Sequence, residues 1–174
     1  GIDTREAHGA VELTAAAGEP WDTLVQLCVS RGWAGFECLS GIPGLAGATP
    51  MQNVGAYGQD VSETVILVRA LDTATRRIQA FENRECRFGY RDNLFRSDEP
   101  GRYVILSVAY RLRPGGLPTV RYADVENDLA ARGVERPSLE DVRASVLTIR
   151  RSKSMVLDAS DANASSESTS AWSN

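Results

Sequence analysis

Residues 40–60 read SGIPGLAGATPMQNVGAYGQD, and no other stretch constrains the fold as strongly. Five glycines fall between positions 41 and 58, interleaved with Pro43, Thr49, Pro50, Gln52, Asn53 and Tyr57. Fixing such a stretch is costly, because glycine loses more backbone freedom on folding than any other residue. A plain surface loop of turn residues is one reading. A P-loop is excluded, because the chain contains no GxxxxGK followed by Ser or Thr. A dinucleotide fingerprint needs a strand, then GxGxxG, then a helix. Here Gly41, Gly44 and Gly47 are spaced GxxGxxG, and Pro43 and Pro50 oppose a continuing helix. The residues favour instead an extended loop whose N–H groups can approach an anion closely. Gln52 and Asn53 add amide groups, and Tyr57 adds a flat apolar face with one polar tip. A large planar ligand carrying a diphosphate uses all of these.

The flanking segments predict mixed secondary structure. Val11 to Ala16 can form a short strand. Trp21, Leu24, Val25 and Cys28 recur at helical spacing, predicting a core-facing helix from Pro20 to Arg31 that Gly32 stops. ETVILVRALD (63–72) reads as a strand, and RRIQAFEN can pair with it across a turn near Asp72–Thr75. RYVILSVAYRLRP (102–114) reads as a strand buried on at least one face. Ser138 and Asp141 predict a capped helix whose buried stripe is Leu139, Val142, Val146 and Ile149. Strands and helices mix without a regular βαβ alternation, so the expected class is α+β.

Composition narrows the function. The 174 residues carry a net charge of −4, which argues against non-specific nucleic-acid binding. Three cysteines (Cys28, Cys38, Cys86), with no CxxC and one histidine, speak against a disulfide framework and a metal site. No apolar run is long enough to span a membrane, and the expected setting is a reducing cytoplasm. Residues 159–174 hold six serines and almost no large apolar residue, a composition that predicts poor order on its own.

The loop closely resembles the IPGxxGxxPxQNxGAYG-type signature of the UDP-N-acetylenolpyruvoylglucosamine reductases, also called UDP-N-acetylmuramate dehydrogenases. The resemblance continues through ECRFGYRDNLFR (85–96), VRYADVENDL and VRASVLTIRRSKSMVLD, covering positions 1 to about 158. It implies an FAD-binding domain of the UDP-N-acetylmuramate dehydrogenase or vanillyl-alcohol-oxidase-like type over 1–114. The start of a substrate-binding domain is implied over 115–158, followed by a divergent tail over 159–174. The implied activity is NADPH-dependent, FAD-dependent reduction of UDP-N-acetylglucosamine enolpyruvate in peptidoglycan synthesis, by a monomer acting on small molecules.

The same resemblance implies the site residues. Ile42, Pro43, Gly44, Gly47, Ala48, Thr49, Gln52, Asn53, Gly55, Ala56, Tyr57 and Gly58 are the FAD-contact candidates, and FAD binding would offset the cost of ordering the loop. Arg91 matches the family's catalytic arginine, and Tyr90 beside it is a pocket candidate. Tyr122 and Lys153 match positions that contact the substrate's nucleotide and diphosphate. Ser170 and Asn174 keep the spacing of a proton-donor serine and its following asparagine, although Thr169, Ala171 and Trp172 replace the usual neighbours. No segment matches the family's N-terminal GxGSN-type stretch or its C-terminal glutamate, so the chain is expected to be a middle portion of such an enzyme, with weak or no turnover. Two other readings stay open: a different flavin oxidoreductase, and a non-catalytic nucleotide-sugar binding module.

Overall fold

The computed structural model describes residues 1–90 and 92–156. An antiparallel sheet forms its frame. β1 (Ile2–Ala7) and β2 (Ala10–Ala16) make an N-terminal hairpin, and α1 (Trp21–Ser30) follows. β3 (Trp33–Ala34) is brief. The glycine-rich stretch then contains α2 (Ala48–Gln52) and a small hairpin of β4 (Gly55–Ala56) and β5 (Gln59–Asp60). β6 (Val65–Asp72) and β7 (Arg77–Glu82) form the next hairpin. β8 (Tyr103–Pro114) lies at the sheet's centre, between β2 and β6, giving the order β1-β2-β8-β6-β7 with β3 paired to the end of β8. α3 (Ala123–Ala131) and α4 (Leu139–Ser152) complete the described chain. The architecture is α+β, and no helix among the described residues is long and apolar enough to cross a membrane.

Burial explains the pairing. Val11, Leu13 and Ala15 of β2 alternate inward, as a half-buried strand requires. In β8 the buried residues are Ile105, Val108, Tyr110 and Leu112, so the alternation slips by one residue after Ile105. The register slips at the same place, since Arg69 faces Ser107 while Ala70 faces Ile105. An extra residue at Leu106 is a β-bulge, and it restores the apolar face to the core. A second slip, between Val65 and Leu67, does the same for β6.

Trp21, Leu24, Val25, Cys28 and Val29 of α1 pack on this face, each removed from water. Each such burial of a large apolar side chain contributes about 1.5–3 kcal/mol. The helix begins one residue later than expected: Pro20 caps it from an extended conformation. Gly32 ends it with φ of 68°. Trp21, Phe36 and Tyr110 meet edge-on or tilted, with ring centroids 4.8–5.9 Å apart, beneath the glycine-rich stretch.

α3 and α4 build a second, smaller core from Val125, Leu129, Val142, Val146 and Ile149, joined by Cys38. The expected cap is present: Ser138 Oγ accepts the Asp141 N–H at 3.1 Å, and Asp141 Oδ2 accepts the Ser138 N–H at 3.0 Å. Buried Glu37 joins the two cores. Its carboxylate accepts hydrogen bonds from the N–H groups of Gly35 and Thr119, both at 2.8 Å, and from Gln59 Nε2 at 3.1 Å.

Candidate ligand-binding site

The glycine-rich stretch is not uniformly extended. α2 forms despite Pro50, because Pro50 occupies the first turn, where a missing N–H breaks no intrahelical bond. Before α2 the chain is fastened to α1 and its lead-in. Trp21 N–H donates to Gly44 O at 3.0 Å, Ala46 N–H to Glu19 O at 2.8 Å, and Gly47 N–H to Ala17 O at 2.9 Å. Gly41 N–H donates to Asp22 Oδ1 at 2.6 Å, and Arg143 grips the same carboxylate with both terminal nitrogens at 2.7 and 2.8 Å. Burial opposes ionisation of Asp22, but Arg143 and the Gly41 N–H outweigh it and hold the carboxyl below its usual range. Thr49 is buried and shares a 2.8 Å hydrogen bond with Tyr110 Oη.

After α2 the chain turns toward open space. Asn53 caps the helix in the left-handed conformation (φ 40°, ψ 62°). Tyr57 (φ 50°) and Gly58 (φ 79°) then make the two-residue turn of the β4–β5 hairpin, and positive φ at both positions is the signature of a type I′ turn. Holding a tyrosine there costs about 1–2 kcal/mol. Such strain is characteristic of ligand sites.

This second half lines a groove of about 840 Å³. Residues 52–60 and Ile42 form one wall, and Phe88, Gly89, Tyr90 and Arg96 contribute the other, with Arg150 also lining it. A smaller cavity of about 270 Å³ adjoins it, sharing Ile42, Gln52 and Val54 and reaching Pro43, Ala48 and Thr49. Of the twelve FAD-contact candidates, Asn53, Gly55, Ala56, Tyr57 and Gly58 line the larger space. Ile42 and Gln52 line both, and Pro43, Ala48 and Thr49 only the smaller. Gly44 and Gly47 line neither. Gly47 serves packing instead: a Cβ there would stand 2.6 Å from Ala17 Cβ and 3.1 Å from Ala17 Cα.

The 88–96 wall is held from behind. Gly89 and Asp92 exchange backbone hydrogen bonds of 2.8 and 3.3 Å, so the segment turns tightly rather than running extended. Buried Asn93 caps the π-helical turn Leu94–Asp98. Tyr90 is 89% exposed at the groove. Arg91, Ser170 and Asn174 lie outside the described residues.

Tyr122 and Lys153 stand beside the groove rather than in it. The Tyr122 ring meets Tyr57 edge-on at 5.4 Å, and Lys153 Nζ pairs with Asp124 Oδ2 at 2.7 Å. Asp124 raises the Lys153 ammonium above its usual range, keeping it charged. Sequence reasoning missed Phe88, Arg96 and Arg150. Phe88 and Arg96 lie within the ECRFGYRDNLFR segment already singled out, and that is the signal that could have found them. The cysteine thiols are pushed up to about 12 by burial, so Cys28, Cys38 and Cys86 offer no thiolate at neutral pH.

Chemically, the groove offers glycine and alanine walls for a flat ring and two arginines for an anion. It also offers one orphan: Asn53 Oδ1 is buried with no hydrogen-bond partner among the described residues. A buried acceptor left unmet costs about 1–3 kcal/mol.

Comparison with known proteins agrees with this geometry. The FAD binding domain family matches residues 4–79. The UDP-N-acetylenolpyruvoylglucosamine reductase of Salinispora arenicola is 47% identical over 152 residues, covering 87% of this chain and 41% of the relative. The enzyme of the same name from Thermobifida fusca is 45% identical, covering 87% and 42%. The one from Burkholderia mallei is 42% identical, covering 86% and 44%. In fold, the crystal structure of UDP-N-acetylenolpyruvylglucosamine reductase from Thermus caldophilus superposes with a TM-score of 0.57 at 21% identity, over 79% of this chain and 42% of that one. The chain thus spans less than half the length of the relatives it matches. In sequence the chain is similar to part of the UDP-N-acetylenolpyruvoylglucosamine reductases, and in fold to part of one of them.

Proposed function

We propose that this chain is part of an FAD-dependent, NADPH-consuming reductase of UDP-N-acetylglucosamine enolpyruvate, acting in the cytoplasm in peptidoglycan synthesis. The observation that carries the reading is the groove, where the strained Asn53–Gly58 segment faces Phe88, Gly89 and Tyr90. Its features suit FAD: small residues for a flat ring and arginines for a diphosphate. FAD, when bound, supplies the hydride chemistry between NADPH and the enolpyruvyl double bond.

The chain's own residues do the rest. Gly55, Ala56 and Gly58 leave room for the ring. Arg91 holds the substrate carboxylate and stabilises the negative charge that grows beside it, a task suited to a planar, always-charged fork of donors. Tyr122, already against Tyr57, covers the nucleotide, and Lys153 meets the diphosphate as a point charge. In this reading 1–114 belongs to the FAD-binding domain and 115–158 opens the substrate-binding domain.

Titrating the chain with FAD and following flavin fluorescence tests the reading. One-to-one saturable quenching, with flavin absorbance that bleaches on adding NADPH, is expected. A colourless chain that binds UDP-sugar alone would favour the non-catalytic binding module instead.

A further inference from the structure

Two asparagines cross between the walls of the groove in opposite directions. Asn53 Nδ2, on the glycine-rich wall, donates to Gly89 O at 2.9 Å. Asn93 Nδ2, on the facing wall, donates to Met51 O at 2.9 Å. The Asn53 bond is exposed, and the Asn93 bond is partly buried. Asn93 is 2% exposed, and its Oδ1 also accepts the N–H groups of Phe95 and Arg96 at 3.0 and 3.1 Å. Asn53 is held in a left-handed backbone that points its side chain at the opposite segment. The donor and acceptor roles are mirrored: each wall gives one side-chain amide and receives the other on a main-chain carbonyl. Main-chain carbonyls are fixed by the fold, so the two bonds together set the separation of residues 51–53 from residues 89–93.

We propose that Asn53 and Asn93 form a reciprocal amide clamp, which fixes the width of the groove and makes Asn93 a positioning residue for its ligand. The proposal rests on the reading of the groove as the FAD site. Two opposed carbonyl-to-amide bonds between the segments, one exposed and one partly buried, favour one spacing, and a preformed spacing lowers the ordering cost of binding. The clamp also ties the turn that carries Tyr90 to the segment that carries Tyr57, so movement of either wall moves the other.

Asn93→Ser separates the clamp from the local fold. The serine hydroxyl still accepts from the turn that Asn93 caps, but it is too short to reach Met51 O and carries no amide donor. Asn53→Gly is the companion variant, since glycine keeps the left-handed backbone while removing the bond to Gly89. Three measurements on the whole chain decide the matter: thermal melting, hydrogen–deuterium exchange without ligand, and FAD titration by fluorescence. For Asn93→Ser, melting should hold within a few degrees. Exchange should quicken in 51–58 and 88–96 together, and FAD affinity should fall about tenfold. Quickened exchange confined to 93–96 would show a local cap and overturn the clamp. Exchange that quickens in both walls while FAD affinity stays at the parent value would overturn its role in positioning. A parent chain that takes up no FAD sinks the functional reading, and coupled exchange in the two variants then decides the clamp by itself.

Discussion

The glycine-rich stretch has two halves that look alike as sequence and face different ways. From Gly41 to Thr49 the polar groups turn inward: Gly41 to Asp22, Ala46 to Glu19, Gly47 to Ala17, Thr49 to Tyr110. From Asn53 to Gly58 three residues adopt positive φ, the lining faces the groove, and Asn53 Oδ1 has no partner among the described residues. In the first half a missing Cβ lets two pieces of backbone touch. In the second it shapes a tight turn beside open space. Composition is blind to the distinction, because both tasks ask for the same small residues.

The largest expected effect belongs to Arg91. In the active enzyme, Arg91→Ala should slow flavin reoxidation by the enolpyruvyl substrate on the order of 100-fold, with Arg91→Lys a partial rescue. Flavin reduction by NADPH should change little. Stopped-flow measurement of the two half-reactions separates the cases, and an unchanged reoxidation rate would make Arg91 a structural residue. The halves themselves are separated by two glycines. Gly47→Ala pushes a methyl into Ala17 and should cost about 1–3 kcal/mol of stability, seen as a lower melting temperature. Gly55→Ala crowds the Asp60 carboxylate, the end of a side chain that can move, and makes an ordinary 3.6 Å contact with Gln59 O. It should leave melting nearly unchanged and weaken FAD binding about tenfold, or about 1.4 kcal/mol. If Gly47→Ala instead spares stability and lowers FAD affinity, the division of labour is wrong.

A smaller effect concerns charge. The Asp22 carboxyl is held below its ordinary range, so its contribution is present above the unfolded-state value near 4 and is lost as pH falls through the folded-state value. Asp22 is 39% exposed, and solvent screening limits the contribution to about 1 kcal/mol or less. Urea unfolding should therefore find Asp22→Asn less stable than the parent at pH 7, with the gap narrowing as the pH falls below about 4. The smallest effect belongs to Lys153. Removing its partner with Asp124→Asn should tighten binding of UDP by no more than about fivefold, measured calorimetrically.

Much of the frame was legible. The helix from Trp21, the strands of 65–72 and 103–114, and the Ser138 cap follow from periodicity and from residues whose roles are local. What escaped is what depends on distant partners. β1 is exposed along most of its length, so it carries no apolar alternation to read. α3 buries only Val125 and Leu129, too thin a stripe to stand out. The bulges at Leu106 and Ile66 break the period of two exactly where that period is the signal. In the site, the loop stood out as one glycine-rich stretch. Its inward half was not separable from its outward half, because Ala17 lies 30 residues before Gly47 and nothing local announces the contact. Asn93 was missed for a similar reason: its partner is Met51.

The order of the sheet has a consequence for how the chain is made. Among the described strands, β8 is the last to leave the ribosome and the one that sits in the middle. Until it emerges, β1–β2 and β6–β7 are two isolated hairpins, and a lone hairpin is marginal in water. Each waits with an unpaired edge, the condition that invites pairing with another chain. Synthesis at about 5–20 residues per second leaves β2 waiting for several seconds. The nascent protein is therefore most vulnerable just before residue 103, and a pause placed there would prolong the exposure of both edges at once.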